Sequence, residues 1–235
     1  TAGDGKTYHC REVWMSLGGN PVLWDKGDKI QTLQIGTRSL VIVKDLSELQ
    51  QEESASLIAR FALDVMNPNT TTSYLLAANH GQLLEKLKSA EQTKDVIKVS
   101  KAIEEMLVTG INSDHDVRVN LTDLGRAPAS KLLNQIIDTI THHDGWQGCG
   151  DCSANNDAAP CPILENRRRL MADGPAHPFR HRLTALIELS EQNNNHFPVR
   201  QLLALLANST LGHPDARDRL MDCHDVSEIQ NTHKN

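Results

Sequence analysis

The run Gly3-Asp4-Gly5-Lys6-Thr7 has the residue types and order needed to hold phosphate. Glycines allow consecutive backbone N–H groups to face phosphate oxygens, and a helix opening behind them adds partial positive charge. The lysine then supplies a mobile cation, and the threonine hydroxyl completes a Mg²⁺ shell. The complete pattern is G-x-x-x-x-G-K-[ST], and its first glycine would fall one position before Thr1. We therefore read the sequence as starting inside a phosphate loop, with the preceding strand missing; the absence of an initial Met agrees with this. The competing reading is an ordinary solvated Gly-Lys turn.

Phosphate transfer also needs a carboxylate at the end of a buried strand, to support Mg²⁺. In "SLVIVKDLSE" Asp45 follows the apolar run Leu40–Val43, with Lys44 between them as the chain reaches solvent. Glu48, three residues on, is a candidate for polarising water; it is equally a carboxylate favoured in a first helical turn. Asn79 ends the apolar "YLLAAN" and is a candidate for orienting water, or a plain helix cap. Arg200 opens an amphipathic helix where the dipole disfavours a cation, which makes phosphate one candidate partner.

A second group of residues points to metal. Cys149, Cys152 and Cys161 lie in "GCGDCSANNDAAPCP", and Cys-x-x-Cys is a chelating spacing that suits tetrahedral Zn²⁺. A fourth ligand is not local. Cys223, His142, His143, His177 and His224 are candidates, and Cys223 or His224 would tie the C-terminal region to the loop. Free thiols, an iron–sulfur cluster or a redox pair are the alternatives.

These groups must be placed by regular elements. Residues 7–17 pattern as a helix and "GGNPVLWDKGD" as a loop. "KIQTLQIG", "SLVIVKD", "YLLAANH" and "DVRVNLTDL" pattern as strands, with β-branched residues throughout the first two. Helices are expected around Leu57–Val65, with Ser47 and Gln50 at capping-box spacing before them, and in "GQLLEKLKSA", "DVIKVSKAIEEMLVTG" and "ASKLLNQIIDTITHH". Past residue 160 the patterns are helical only. Alternating elements imply a parallel sheet with right-handed crossovers. The expected fold class is thus α/β: a parallel-sheet nucleotide-binding core over 1–143, first strand missing, and a small all-α lid subdomain over 162–224. A cysteine-rich loop, 144–161, joins them, and a polar tail occupies 225–235.

Composition excludes several classes of function. The chain has 235 residues, a formal charge of −6 and 3% aromatic residues, so neither a basic face nor a stacking surface for nucleic acid is evident. No apolar run approaches the roughly 20 residues that span a bilayer. With no recognisable signal peptide and clustered cysteines, a reducing, cytoplasmic setting is expected.

In their order, "GDGKT", "LVIVKD", "YLLAANH" and "VRQLL" resemble the phosphate loop, Mg²⁺ strand, polar sensor strand and sensor arginine of AAA+ P-loop ATPases. "GDGKT", "DLSE" and "CPILENRRRL" are also similar to stretches of ATP-binding modules in bacterial defence proteins. The resemblance implies a cytoplasmic, bacterial ATPase module of a longer parent chain, using ATP and Mg²⁺, with homo-oligomers conceivable. It implies Gly3, Asp4, Gly5, Lys6, Thr7 and Asp45 as nucleotide and Mg²⁺ contacts, with Glu48, Asn79 and Arg200 as catalytic residues. One departure is that Leu46, not Glu, follows Asp45. A P-loop kinase with a zinc lid, its acceptor phosphate clamped by "ENRRRL", is the alternative enzyme. A zinc-stabilised interaction module is the non-enzymatic one.

Overall fold

The structure is a computed structural model. It describes residues 3–152, 154–155, 160–172, 178–215 and 217–232; for Arg126, Asn231 and Thr232 the backbone alone is described. The chain divides into two compact units, Thr1–Leu124 and Gly125–Asn235.

The first unit runs α1 (Lys6–Ser16), α2 (Pro21–Asp25), β1 (Ile30–Ile35), β2 (Arg38–Val43), α3 (Gln51–Met66), β3 (Thr72–Leu76), α4 (His80–Ser89) and α5 (Lys94–Thr109). Its sheet has the order β1-β2-β3. Alternation along β2 sends its side chains to opposite faces. Ile42 meets Cys10 and Trp14 of α1, Trp24 of α2 and Ala77. Val41 and Val43 meet Leu57, Ile58 and Phe61 of α3, with Leu87 of α4 and Val99 and Ile103 of α5 behind them. Both faces of the central strand are thus covered, which explains its unbroken apolar run.

The expected parallel-sheet core is not what forms. Most of the chain is helical, and the sheet is small and mixed. β1 pairs with β2 antiparallel, Ile35 opposite Arg38, because a two-residue turn joins them. So short a link can only reverse the chain, and Gly36 takes the left-handed conformation it requires (φ 61°). Only β2 and β3, separated by α3, run parallel. The stretch "DVRVNLTDL" joins no sheet. Its backbone carbonyls at Val117 and Val119 accept from the Asn112 side chain at 2.7 and 3.1 Å. Arg118 donates to carbonyls at the C-terminal end of α3, including Val65 at 3.3 Å and Asp64 at 3.1 Å. This segment spends its hydrogen bonds on closing a helix end. Two smaller expectations also change. "PVLWD" forms α2, capped by Asn20, whose side chain accepts from Val22 N at 2.8 Å. Ser47 and Gln50 make no capping box: Gln50 precedes α3 without a side-chain cap.

The second unit contains α6 (Ala129–Thr141), α7 (Pro162–Met171), α8 (Pro178–Gln192), α9 (Val199–Leu211) and α10 (Cys223–Thr232). Leu133, Ile137, Leu170, Ile187, Leu202 and Leu206 form its main core. The helix α6, placed within residues 1–143 on sequence, contributes to this core. The start of α6 is capped from α8, as Glu191 accepts from the backbone N–H groups of Ala129 and Ser130. A second, smaller core joins Cys161 and Ile163 to Met221, Val226 and Ile229, with Trp146 against it. Of the expected polar tail, 225–235, residues 225–232 therefore belong to the helix α10, which has one buried side, Val226 and Ile229.

Candidate functional site

The glycine-rich run does lead into a helix. Gly3 and Gly5 both adopt left-handed backbone, φ 93° and 79°. Gly5 is the residue before the first turn of α1. Its positive φ lets the chain enter α1 without the Cβ strain another residue would feel. No acidic side chain sits in the first turn of α1, so no carboxylate there offsets the positive end of the helix dipole. Asp4, just ahead of it, is buried and partnered, as is the half-buried Lys6.

Thr7 links this helix start to the sheet. Its Oγ1 donates to the Lys44 carbonyl at 3.2 Å, at the C-terminal end of β2 and one residue before Asp45. The packing of Cys10 and Trp14 on Ile42 holds α1 at that end. Lys44, read on sequence as a residue reaching solvent, is half-buried; its ammonium donates to Trp24 O and lies 4.5 Å from the centroid of the Trp24 ring. No sequence spacing signals that contact, because residues 44 and 24 meet only through the hairpin and α2.

Asp45 caps the short 3-10 turn Leu46–Glu48 through Oδ1, which accepts from Ser47 N at 2.9 Å and Ser47 Oγ at 2.7 Å. Glu48 ends that turn with its side chain exposed, and its carbonyl accepts from Lys29. Asn79 stands at the neighbouring strand end. Beyond β3 the pairing continues, with Ala77 N donating to Val43 O at 3.0 Å and Leu46 N to Ala77 O at 2.8 Å. Asn79 precedes α4 but does not cap it with its side chain. Its Oδ1 is buried with no hydrogen-bond partner among the described residues. A buried amide oxygen left unpaired costs about 1–3 kcal/mol.

Of the sequence candidates, the structure brings Gly5, Lys6, Thr7 and Asp45 to one end of the sheet and sets Asn79 at the adjoining strand end. Arg200 belongs to the second unit, where it is exposed in the first turn of α9.

The cysteines form a second candidate site, wholly within the second unit. Cys149 ends a 3-10 helix, Asp144–Cys149; Cys161 immediately precedes α7; Cys223 is the first residue of α10. Cys149, Cys152, Cys161, Cys223 and the distant Cys10 are free thiols. Burial raises the Cys149 thiol above its ordinary pKa, and the nearby Cys223, Cys152 and Cys161 raise it further. Cys10, on the buried side of α1, is pushed up to about 11 by burial. Among the described residues no three His, Cys, Asp or Glu side chains are posed as a ready-made metal cage. His142 and His143 are engaged with backbone: Nδ1 of His142 is 2.9 Å from Asp138 O, and Nδ1 of His143 accepts from Gly145 N at 3.0 Å. His177 lies outside the described residues.

Comparison with protein-family models, curated proteins and solved structures finds no match. The likeness to AAA+ ATPases rests on the motifs alone. No helix among the described residues is long and apolar enough to cross a membrane.

Proposed function

We propose that the first unit binds ATP with Mg²⁺ and hydrolyses it, acting as a nucleotide switch. The observation that carries this reading is the hydrogen bond from Thr7 to the Lys44 carbonyl. It puts the Gly-Lys-Thr run, a helix N-terminus and the Asp45 carboxylate at one strand end. A solvated Gly-Lys turn has no need of that arrangement.

Each residue then has a defined task. The N–H groups that open α1 and the Lys6 ammonium bind the phosphate oxygens. The Thr7 hydroxyl and the Asp45 carboxylate are the residues that would hold Mg²⁺, which when bound neutralises charge on the phosphates. Asn79 Oδ1, an acceptor without a donor among the described residues, accepts from a water and aims its lone pair. Glu48, exposed beside Asp45, is the carboxylate available to take the proton of that water.

Fluorescent ATP titrated into the purified protein, with and without Mg²⁺, tests the reading. Lys6→Ala is expected to weaken Mg²⁺-dependent binding about ten- to a hundredfold, the loss of a charged hydrogen bond. Asn79→Ala is expected to slow phosphate release by at least about tenfold while binding is largely kept. Absence of Mg²⁺-dependent affinity, together with a Lys6→Ala protein that behaves like the parent, sinks the proposal. Phosphate that leaves ATP only when an acceptor is supplied would make the protein a phosphotransferase.

A further inference from the structure

Four cysteines, three from one segment and Cys223 from more than sixty positions on, lie around the small second core of the helical unit. Cys161 is itself part of that core, packed with Met221 and Val226, which flank Cys223, and with Trp146 and Ala154, which flank Cys149 and Cys152. Gln230 of α10 donates to Ala154 O at 2.8 Å and so ties α10 to the Cys152 loop.

The elements that carry these cysteines are each held from outside. Trp146 donates to Ile140 O at 2.7 Å, and the Arg167 guanidinium lies 5.0 Å from its ring centroid while donating to Thr141 O at 2.8 Å. Together these contacts fix the 3-10 helix that ends at Cys149. At the other side, Asp222 Oδ1 accepts from His224 N at 2.7 Å and Asp225 N at 3.2 Å, capping the start of α10. The buried Asp225 carboxylate accepts from Asp222 N at 2.9 Å and pairs with Arg219 at 2.6 Å. That clamp fixes where Cys223 emerges. Two of the four cysteines, Cys161 and Cys223, thus stand at the start of helices α7 and α10. Arg167 adds positive charge close to Cys149.

We propose that Cys149, Cys152, Cys161 and Cys223 form a structural Zn²⁺ site that staples α10 and the 3-10 helix ending at Cys149 to α7. Four soft thiolates in a closed set, one pair at Cys-x-x-Cys spacing, suit zinc in a structural role. Among the described residues that core has only five buried members. Metal ligation supplies the cohesion that so small a cluster lacks. Binding draws the four side chains inward and releases their thiol protons to solvent. The Arg167 guanidinium then offsets part of the negative charge on the tetrathiolate centre. The site is independent of the nucleotide reading, since all its residues lie in the second unit.

Metal analysis of protein purified without chelator or affinity-tag metal tests this inference. Near one zinc per chain is expected, released on thiol modification, with four thiols becoming reactive as zinc leaves. Cys10→Ala, in the other unit, keeps the zinc; Cys161→Ser and Cys223→Ser each lose most of it. Should those variants fold poorly, Co²⁺ added to metal-free parent protein gives a second readout: the intense visible absorption of tetrahedral cobalt thiolate. Protein without zinc that also fails to take up Co²⁺ overturns the assignment. So does a brown iron–sulfur chromophore, or a disulfide between any two of the four cysteines under reducing purification.

Discussion

At the scale of single residues, the tightest constraint in the first unit is the approach of Gly19 to Trp14. A Cβ at Gly19 would fall inside contact distance of the Trp14 indole. That indole is almost wholly buried, and its N–H donates to Asn20 O at 3.0 Å, so it cannot swing aside without breaking a bond. Gly19→Ala should therefore destabilise the unit by about 1–3 kcal/mol, the usual cost of overpacking. Urea unfolding followed by tryptophan fluorescence measures it, and an unchanged midpoint would refute the argument. None of this was legible in "SLGGNP", where Gly19 reads only as a loop residue. The helix that follows Gly5, in contrast, was legible, because its apolar spacing repeats within a few residues. The contact of Thr7 with Lys44 was not, since it spans 37 positions.

At the scale of elements, α7 shows how a helix uses its own charges. Glu165, in the first turn, accepts from Arg168 Nε and Arg169 Nε, both at 2.8 Å. Hydrogen bonds from Arg168 and then Arg169 hold its carboxyl down at about 2, against an ordinary 4.5. A depressed folded pKa stabilises the folded state above the ordinary value, and that contribution disappears as pH falls from 4.5 toward 2. Both arginines are more than half exposed, so solvent screening keeps the effect below about 1 kcal/mol. Glu165→Gln should bring the variant closer to the parent in stability near pH 2 than near pH 6. A gap that does not narrow on acidification would remove the claim. "ENRRRL", read on sequence as a clamp for an acceptor phosphate, has Arg168 and Arg169 on Glu165 and Arg167 on Trp146 and Thr141. The segment 116–124 teaches the same lesson. Its alternating apolar residues satisfy a strand pattern, and Val117, Val119 and Leu121 do face the first core. Yet its carbonyls go to Asn112, and a strand exists only where a neighbour offers its backbone.

At the scale of the molecule, two units with separate cores should respond separately to damage. Leu133 is fully buried in the second unit's main core. Leu133→Ala should cost that unit about 2–5 kcal/mol through lost burial and a residual cavity. Calorimetry should show the transition of the second unit lowered while that of residues 1–124 stays in place. A single transition that moves as a whole would show the two units unfolding together. The division at Leu124 could not be read from element types, because α6 has the same amphipathic pattern whichever core it joins. Only the complementary apolar faces of α7, α8 and α9 decide where it goes.

By itself the sequence determined what is written in short-range spacing: the amphipathic helices, the β1–β2 and β3 segments, the Gly-Lys-Thr run and the Cys-x-x-Cys pair. Helical and strand periodicity, glycine freedom and ligand geometry all act over a few residues, so they survive without a fold. Tertiary structure alone decided the mixed sheet, the failure of 116–124 to join it, the meeting of Thr7 with the end of β2 and the tie from Gln230 of α10 to Ala154, 76 positions away. Those outcomes depend on which of several similar apolar faces and unpaired backbone groups find each other. That competition is settled by the whole chain at once.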